Sequence, residues 1–447
     1  MKGRFLFLKR FSLILLSILL LFSTVSCSET ADKTVTQEVF SSTSETETGM
    51  PDDKWKHTAE PNNYTVEDKS TKQKLAAIPI ANASMSADEL RKICVDFLHL
   101  SLEFPWMPQQ TFTHEDLNIT REPGTVYGGI PYISTGSGNI YRAMEYYDEA
   151  TGTIDMSAFL NAGLRFGNAC SGGVGWAWQR VINSADLAWT WSLTHHNGCL
   201  RVGPYTYPDT VENFHEVRSE SPNKYTASDV VAANGEQTMF ESYALVKLAD
   251  GLVHPGHVRM VTGEPSVMRN DDGTIDGEKS FLFYSDQVKY VNEVNHDRKQ
   301  TDGTPYKAQG GVRVKISFSE LFKTNYIPFT FGEFLGTDPV EASNATLGIE
   351  SPTVTIDQLT ATTLTCNYAI SDVFLKVTAP DGSEKLNFPR RMTNFFTKSV
   401  DMEKEVMISA ITNQLKALAG SGDHTVTLLC QISTGEMVTA YSGILTA

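Results

Sequence analysis

Cys170 lies in the stretch Arg165-Phe166-Gly167-Asn168-Ala169-Cys170-Ser171-Gly172-Gly173-Val174-Gly175-Trp176-Ala177-Trp178, where one cysteine is followed by small residues and then by apolar ones. The thiolate, not the thiol, is the nucleophile, and an ordinary cysteine is mostly protonated near neutrality. A helix N-terminus carries partial positive charge and favours the thiolate. Val174, Ala177, Trp178, Val181 and Ile182 recur at helical spacing, which predicts a buried amphipathic helix with Cys170 in its first turn. Gly172, Gly173 and Gly175 are poor helix formers. Their presence implies that the helix start packs closely against a sheet or a substrate. The alternative is a buried structural thiol, since free cysteine is among the most buried residue types.

A nucleophilic cysteine needs a base. Histidine is the usual one, because its ordinary pKa lies near neutrality. The segment Lys247 to Val261 reads as a loop feeding a strand that His257 opens. His254 competes, but it precedes Pro255 and reads as loop. Asn270-Asp271-Asp272-Gly273 is a strong turn signal, after which Ser280–Gln287 returns as a second strand. A hairpin centred near Asp272 puts His257 opposite Asp286 or Gln287. Successive strand residues face opposite sides, so only one of the two can hold the imidazole. Asp286 is favoured, because a carboxylate also stabilises an imidazolium.

These pieces resemble the NlpC-type cell-wall peptidases, papain-like cysteine hydrolases, and the related CHAP amidases. The resemblance covers roughly residues 120–290. Tyr127-Gly128-Gly129-Ile130-Pro131-Tyr132 is similar to that family's Gly-x-Pro-Tyr segment, Cys170-Ser171-Gly172 to its Cys-Ser-Gly, and Asp250 with Gly256-His257-Val258 to its Gly-Asp and Gly-His-Val elements. The order along the chain is also the family's. The resemblance implies Cys170 as nucleophile, His257 as base, Tyr132 and Ser171 at the substrate site, and peptidoglycan stem peptides as substrate, with no cofactor. Three departures stand out. Ala169 replaces the family's usual Asp, the Pro-Tyr to Cys spacing is lengthened by Ile133–Asn168, and the third residue is an acid or amide rather than the common His, which is nearer to CHAP.

The elements that must position these residues follow from the rest of the chain. It has 447 residues, enough for two or three domains. Lys2, Arg4, Lys9 and Arg10 precede a short apolar run from Leu13 to Phe22, which reads as a secretory signal over 1–26. Its end, Ser23-Thr24-Val25-Ser26-Cys27, resembles a bacterial lipoprotein signal, which implies lipidation of Cys27 and an extracytoplasmic protein anchored to the bacterial cell membrane. Thr24 departs from the usual Leu there. Losing those four basic residues takes the net charge from −16 to −20. So acidic a chain argues against nucleic acid as a partner, since that binding rests on Lys and Arg.

Residues 27–70 are rich in Ser, Thr, Glu, Asp and Pro and read as a disordered tether. About 40 such residues span on the order of 35 Å. Residues 71–345 read as one α+β unit, the papain-like catalytic domain with insertions. Within it, Ser86 caps a helix over Ser86–Leu102 whose apolar face is Leu90, Ile93, Cys94, Phe97 and Leu98. Trp189 and Trp191 are assigned to core packing, with a substrate groove as the other possibility. Residues 195–235 read as a long inserted loop. From 346 to 447, β-rich runs at Thr353–Ile356, Thr362–Tyr368, Val373–Thr378, His424–Ile432 and Met437–Leu445 predict a β-sandwich-like domain.

Cys366 and Cys430 fall in strand-like runs and are candidates for pairing. His195-His196-Asn197-Gly198-Cys199 is the one metal-like cluster, but no second ligand pair follows at zinc spacing, so a polar loop is the better reading and no metal is assigned. Two functional classes remain. One is a cell-envelope cysteine hydrolase cleaving an amide bond in peptidoglycan or a related peptide, with acyl or amide transfer by the same residues as a variant of it. The other is a catalytically inactive binding or scaffold lipoprotein.

Overall fold

Ser86 Oγ accepts the Glu89 N–H at 3.3 Å, and the Glu89 carboxylate accepts the Ser86 N–H at 2.7 Å. This reciprocal cap starts a 17-residue helix, α2, at Ala87–Glu103. A second capping box, Ser70 with Gln73, starts α1 at Thr71–Ala77. The computed structural model describes residues 70–446 apart from 115–118, 134–137, 162–165, 186, 188, 210, 212–213, 215–225, 255, 293–306 and 393–395. The signal segment, Cys27 and the tether up to residue 69 lie outside the described residues. Among the described residues no helix is long and apolar enough to cross a membrane.

Four more helices matter for the site: α3 (Ile140–Glu145), α4 (Met156–Asn161), α5 (Cys170–Trp178) and α6 (Ala227–Tyr243). The strands up to residue 331 are β1 (Pro105–Pro108), β2 (Phe112–His114), β3 (Ile119–Arg121), β4 (Tyr127–Gly128), β5 (Tyr147–Asp148), β6 (Thr153–Ile154), β7 (Cys199–Arg201), β8 (Gly251–His254), β9 (His257–Ser266), β10 (Phe281–Asn292), β11 (Lys307–Ser317) and β12 (Ile327–Phe331). Ten of them form one sheet in the order β5-β6-β1-β4-β11-β10-β9-β8-β12-β7, while β2 and β3 pair separately. From β11 to β7 every neighbour is antiparallel. The fold is α+β, with helices packed on a mostly antiparallel sheet. α5 packs against α2, β9 and β10.

One glycine ties α2 to the sheet. Gly129 has φ +65°, and a Cβ there would strike the Leu102 backbone. Its N–H donates to Phe104 O at 2.8 Å, and its carbonyl accepts the Trp106 indole N–H at 2.8 Å. No side chain fits so close an approach.

The last hundred residues add β13 (Ala345–Thr346), β14 (Thr353–Thr355), β15 (Thr363–Cys366), β16 (Ile370–Thr378), β17 (Glu384–Arg391), β18 (Ser399–Asp401), β19 (His424–Ile432) and β20 (Met437–Thr446). A three-stranded sheet, β13-β15-β18, and a five-stranded sheet, β14-β20-β19-β16-β17, enclose a common apolar core. β19 alternates buried and half-buried residues along its length, as a strand with one covered face does. Leu359 and Leu415, from the short helices Ile356–Thr360 and Thr412–Ala419, join that core. Cys366 and Cys430 are both buried as free thiols and are not bonded to each other.

The two cores sit in one compact unit. Asp372 is fully buried and lies 3.2 Å from Arg142 of α3 and 3.3 Å from Arg391 of β17. Arg391 also pairs with Glu145. Ser433 donates to the Gln179 carbonyl at 2.8 Å, and Arg180 donates to the Thr434 carbonyl.

Several expectations are corrected. Segment 195–235 is not a bare loop: β7 pairs with β12, and Thr226 caps α6 through a box with Asp229. α6 carries a kink at Gly235, so its Gly and Asn residues concealed a helix in two pieces. Residues 210, 212–213 and 215–225 of that segment are outside the described residues. Trp189 is exposed rather than core, its ring stacked 4.8 Å from Trp191. α5 is buried on every side instead of being amphipathic, and it stops at Trp178, leaving Val181 and Ile182 in the turn that follows.

Asp372→Asn should leave Arg142 and Arg391 facing an uncharged amide in a buried setting. We expect the unfolding free energy in urea to fall by about 3–5 kcal/mol. A fall of less than about 1 kcal/mol would remove this cluster as the clamp between the two cores.

Candidate active site

Cys170 is the first residue of α5. Ala169, at φ −72° and ψ 170°, precedes the helix without a side-chain cap, and the Gly173 N–H makes the first helical bond, to Ala169 O at 2.9 Å. The chain reaches that point along Pro131-Tyr132-Ile133. Asn168 donates to Pro131 O at 2.9 Å and accepts the Ile133 N–H at 3.1 Å, a parallel bridge of Tyr132 with Asn168. Tyr132 therefore lies beside the residue two before Cys170. Its own N–H donates to Gln309 Oε1 at 3.3 Å. Ser171 is buried in the first turn.

Gly173 shows why the helix is glycine-rich. A Cβ on Gly173 would lie 2.9 Å from Gln287 Oε1, and one on Gly175 would lie 2.5 Å from the Phe396 ring. The helix start is thus pressed against β10 on one side and against the C-terminal part of the chain on the other. The Phe396 ring also meets Trp176 edge-on at 5.2 Å.

β9 and β10 carry the second pair. His257 opens β9, and its Nε2–H donates to Asp286 Oδ2 at 2.7 Å. The register differs from a simple hairpin. Ser285 pairs with Met260 after two irregularities, which brings Asp286 level with Arg259 and diagonal to His257 on the same face. Gln287 faces the other way, towards α5, and its Nε2–H donates to Ile130 O at 2.5 Å and Gln309 O at 3.3 Å. Of the two candidates only Asp286 holds the imidazole. With Nε2 engaged as a donor, Nδ1 is the nitrogen left to take a proton.

His254 has a different environment. Its Nδ1 accepts the Gly256 N–H at 3.0 Å, and its ring packs 4.7 Å from Tyr326. Burial, then the neighbouring His257 and Arg259, push its pKa down to about 3. Asp250, part of the motif resemblance, forms a buried ion pair with Arg91 at 2.6 Å and accepts the Lys247 N–H at 2.8 Å, so it anchors the turn before β8. Its carboxyl is pushed up by burial against the opposing pull of Arg91.

Sequence reasoning missed Arg259 and Tyr326. Arg259 stands two residues after His257, so strand alternation alone puts it on the same face. Tyr326, just ahead of β12, carried no signal. The Tyr326 hydroxyl is raised by burial; Arg259 opposes this, while Asp286, Tyr284 and Cys170 add to it, so all these groups lie within electrostatic reach of one phenol.

A cavity of about 470 Å³ is lined by His195, Arg201, Tyr205 and Asp209, and another of about 370 Å³ by Glu341, Asn344 and Cys366; neither is lined by Cys170, His257 or Asp286. Cys170 is 1 % exposed, whereas the His257 side chain is 18 % exposed. Hydrogen bonding and charge mark the site, because acid–base chemistry needs titratable groups in register. His195 and His196 both approach the Asp209 carbonyl, at 2.8 and 3.1 Å, while Cys199 is buried in β7. Among the described residues no group of three or more His, Cys, Asp or Glu is placed to hold a metal ion.

No protein-family model, no curated protein and no solved structure matches the chain.

The neutral His254 has a consequence for stability. An unfolded chain protonates this ring near its ordinary pKa of 6.5, while the folded chain resists until about pH 3. As pH falls the unfolded state binds the proton first, so the contribution is complete above 6.5 and erodes from there towards 3. At pH 5 the erosion is about 2 kcal/mol. Urea unfolding at pH 7 and pH 5 should show His254→Asn losing less stability than wild type by about that amount. Equal losses would mean that the ring is not held neutral.

Proposed function

We propose that this chain is a papain-like cysteine hydrolase of the bacterial cell envelope, resembling the NlpC-type and CHAP families. The observation that carries the reading is the 2.7 Å bond from His257 Nε2 to Asp286 Oδ2, on the two strands against which the Cys170 helix packs. In this reading the thiol and the imidazole act together where α5 and β9 both begin. His257 Nδ1 takes the Cys170 proton, and Sγ attacks an amide carbonyl. The oxyanion is met by N–H groups of the helix start, among them that of Cys170. The amine leaves with the proton from His257. Water, deprotonated by the same ring, then cleaves the thioester and returns the thiol. Asp286 orients the ring and stabilises the imidazolium.

The substrate class, an amide bond in peptidoglycan stem peptides, comes from the motif resemblance at Tyr132, Cys170-Ser171-Gly172 and His257. A lipid anchor at Cys27 and a tether to residue 70 suit an extracytoplasmic, wall-directed enzyme. The C-terminal region, read as β-sandwich-like, serves as a brace for α5 through Phe396 and Ser433.

A specific observation favours the second reading, a binding or scaffold lipoprotein that keeps the fold without the activity. Cys170 is almost fully buried, and Ala169 replaces the family's usual Asp.

Residues 70–447 and the Cys170→Ala variant, incubated with purified peptidoglycan fragments and read by mass spectrometry, separate the two. Cleavage by wild type and none by the variant is expected. Asp286→Asn should lower kcat by about 10²–10⁴-fold with the fold intact. No cleavage across several wall chemistries, together with a Cys170 inert to iodoacetamide, would leave the scaffold reading.

A further inference from the structure

We propose that Arg259 is a positioning residue that sets the pH range in which His257 acts as a base, working through Asp286. The inference rests on the catalytic reading of His257 above, but its first test does not.

Three features of Arg259 carry it. Its Nε–H points at Asp286 Oδ2 from 3.4 Å, the same oxygen that accepts the His257 bond. Its guanidinium is held between two rings, 4.1 Å from the centroid of Tyr284 and 4.3 Å from that of Tyr326. Its Nη1 is buried and has no hydrogen-bond partner. A guanidinium packed against two aromatic rings is held in place, so its charge stays beside the carboxylate.

The charges around the ring come from several elements. β8 contributes His254, which is held neutral; β10 contributes Tyr284 and Asp286; the residue ahead of β12 is Tyr326; and α5 contributes Cys170. On β11, Gly311 lies against Asp286 Oδ1, where a Cβ would come within 3.0 Å. Among these groups Asp286 is the anion nearest His257 and Arg259 the fixed cation. A carboxylate beside an imidazole favours the imidazolium. A fixed cation on the same carboxylate oxygen offsets that pull while leaving the carboxylate aimed at the ring.

The sign of the effect is definite. Removing the cation makes the imidazolium easier to form and a thiolate harder to form. Both limbs of a pH profile for Cys170 should therefore move to higher pH. The first measurement is the NMR titration of the His257 imidazole in the full chain, wild type against Arg259→Met and Arg259→Lys. Arg259→Met should raise the His257 pKa by about one unit, and Arg259→Lys, which keeps the charge, should return it most of the way. The second is the pH dependence of Cys170 alkylation in the same proteins, where the limbs should shift upward in Arg259→Met. Arg259→Gln, which keeps a donor towards Asp286, replaces Met if that variant does not fold. An unchanged His257 titration in the uncharged variant, or an equal shift in Arg259→Lys, would overturn the proposal and reduce Arg259 to a packing residue. A shifted His257 with no alkylation of wild-type Cys170 at any pH would uphold the electrostatic role of Arg259 and overturn the hydrolase reading instead.

Discussion

The close packing of α5 constrains everything around the site. All nine residues of this helix are buried, and two of its three glycines sit where a Cβ would collide with Gln287 or with Phe396. Glycine costs about 1 kcal/mol in a helix interior relative to alanine. That cost is offset by burial of Trp176 and Trp178 and by the Trp178 indole N–H, which donates to Ala249 O at 2.7 Å. Each large apolar side chain buried contributes about 1.5–3 kcal/mol. The helix that carries Cys170 is therefore held from two sides, by the sheet and by the C-terminal core, and the two cores of the chain are not independent.

Phe396 shows how tight that arrangement is. It has φ +48°, in the left-handed region that a bulky residue rarely adopts. Strain of that kind persists only where the surroundings over-determine it. Here the ring is fixed between Gly175 and Trp176, and the neighbouring Lys398 donates to the Asn183 carbonyl just past the helix. The buried Arg142–Asp372–Arg391 group adds a polar lock whose parts are useful only together.

Local patterns announced much of this, and tertiary packing supplied the rest. The Ser86 cap, the helix start at Cys170, the β9 and β10 strands and the β-rich end of the chain are all short-range signals: a capping box, a run of apolar residues, a turn at Asn270–Gly273. Strand parity allowed only one of Asp286 and Gln287 to face His257, and the two do face opposite sides. The exact register was not legible, because irregularities between Phe281 and Tyr284 shift the pairing. α6 was hidden because Gly235 breaks it and polar residues dominate its exposed turns. β17 carries a weaker signal than β19: it has no fully buried residue, and only its half-buried Leu386 and Phe388 pack against the core. Arg259 and Tyr326 belong to one cluster through contacts between segments about 70 residues apart, which no local pattern encodes.

The segment before the nucleophile shows how side chains replace a missing strand. Among the described residues, 130–133 make one bridge, to Asn168, and their remaining polar groups need other partners. Gln287 donates to Ile130 O, and Gln309 accepts the Tyr132 N–H while its own carbonyl accepts from Gln287. Arg121 in turn donates to Gln309 Oε1. Burial pushes the Arg121 pKa down to about 10, so this cation is held inside the protein at an electrostatic cost. A chain of buried amides ending on a buried guanidinium is costly if any member is unpaired and rigid when all are paired. It fixes the backbone that leads towards Cys170. The two faces of β10 thus divide the work. Gln287 secures the approach to the cysteine, while Asp286, one residue away, holds the imidazole. A shift of one residue in this strand would exchange them, and that is why the irregular pairing between Phe281 and Tyr284 matters more to the site than any single side chain in it.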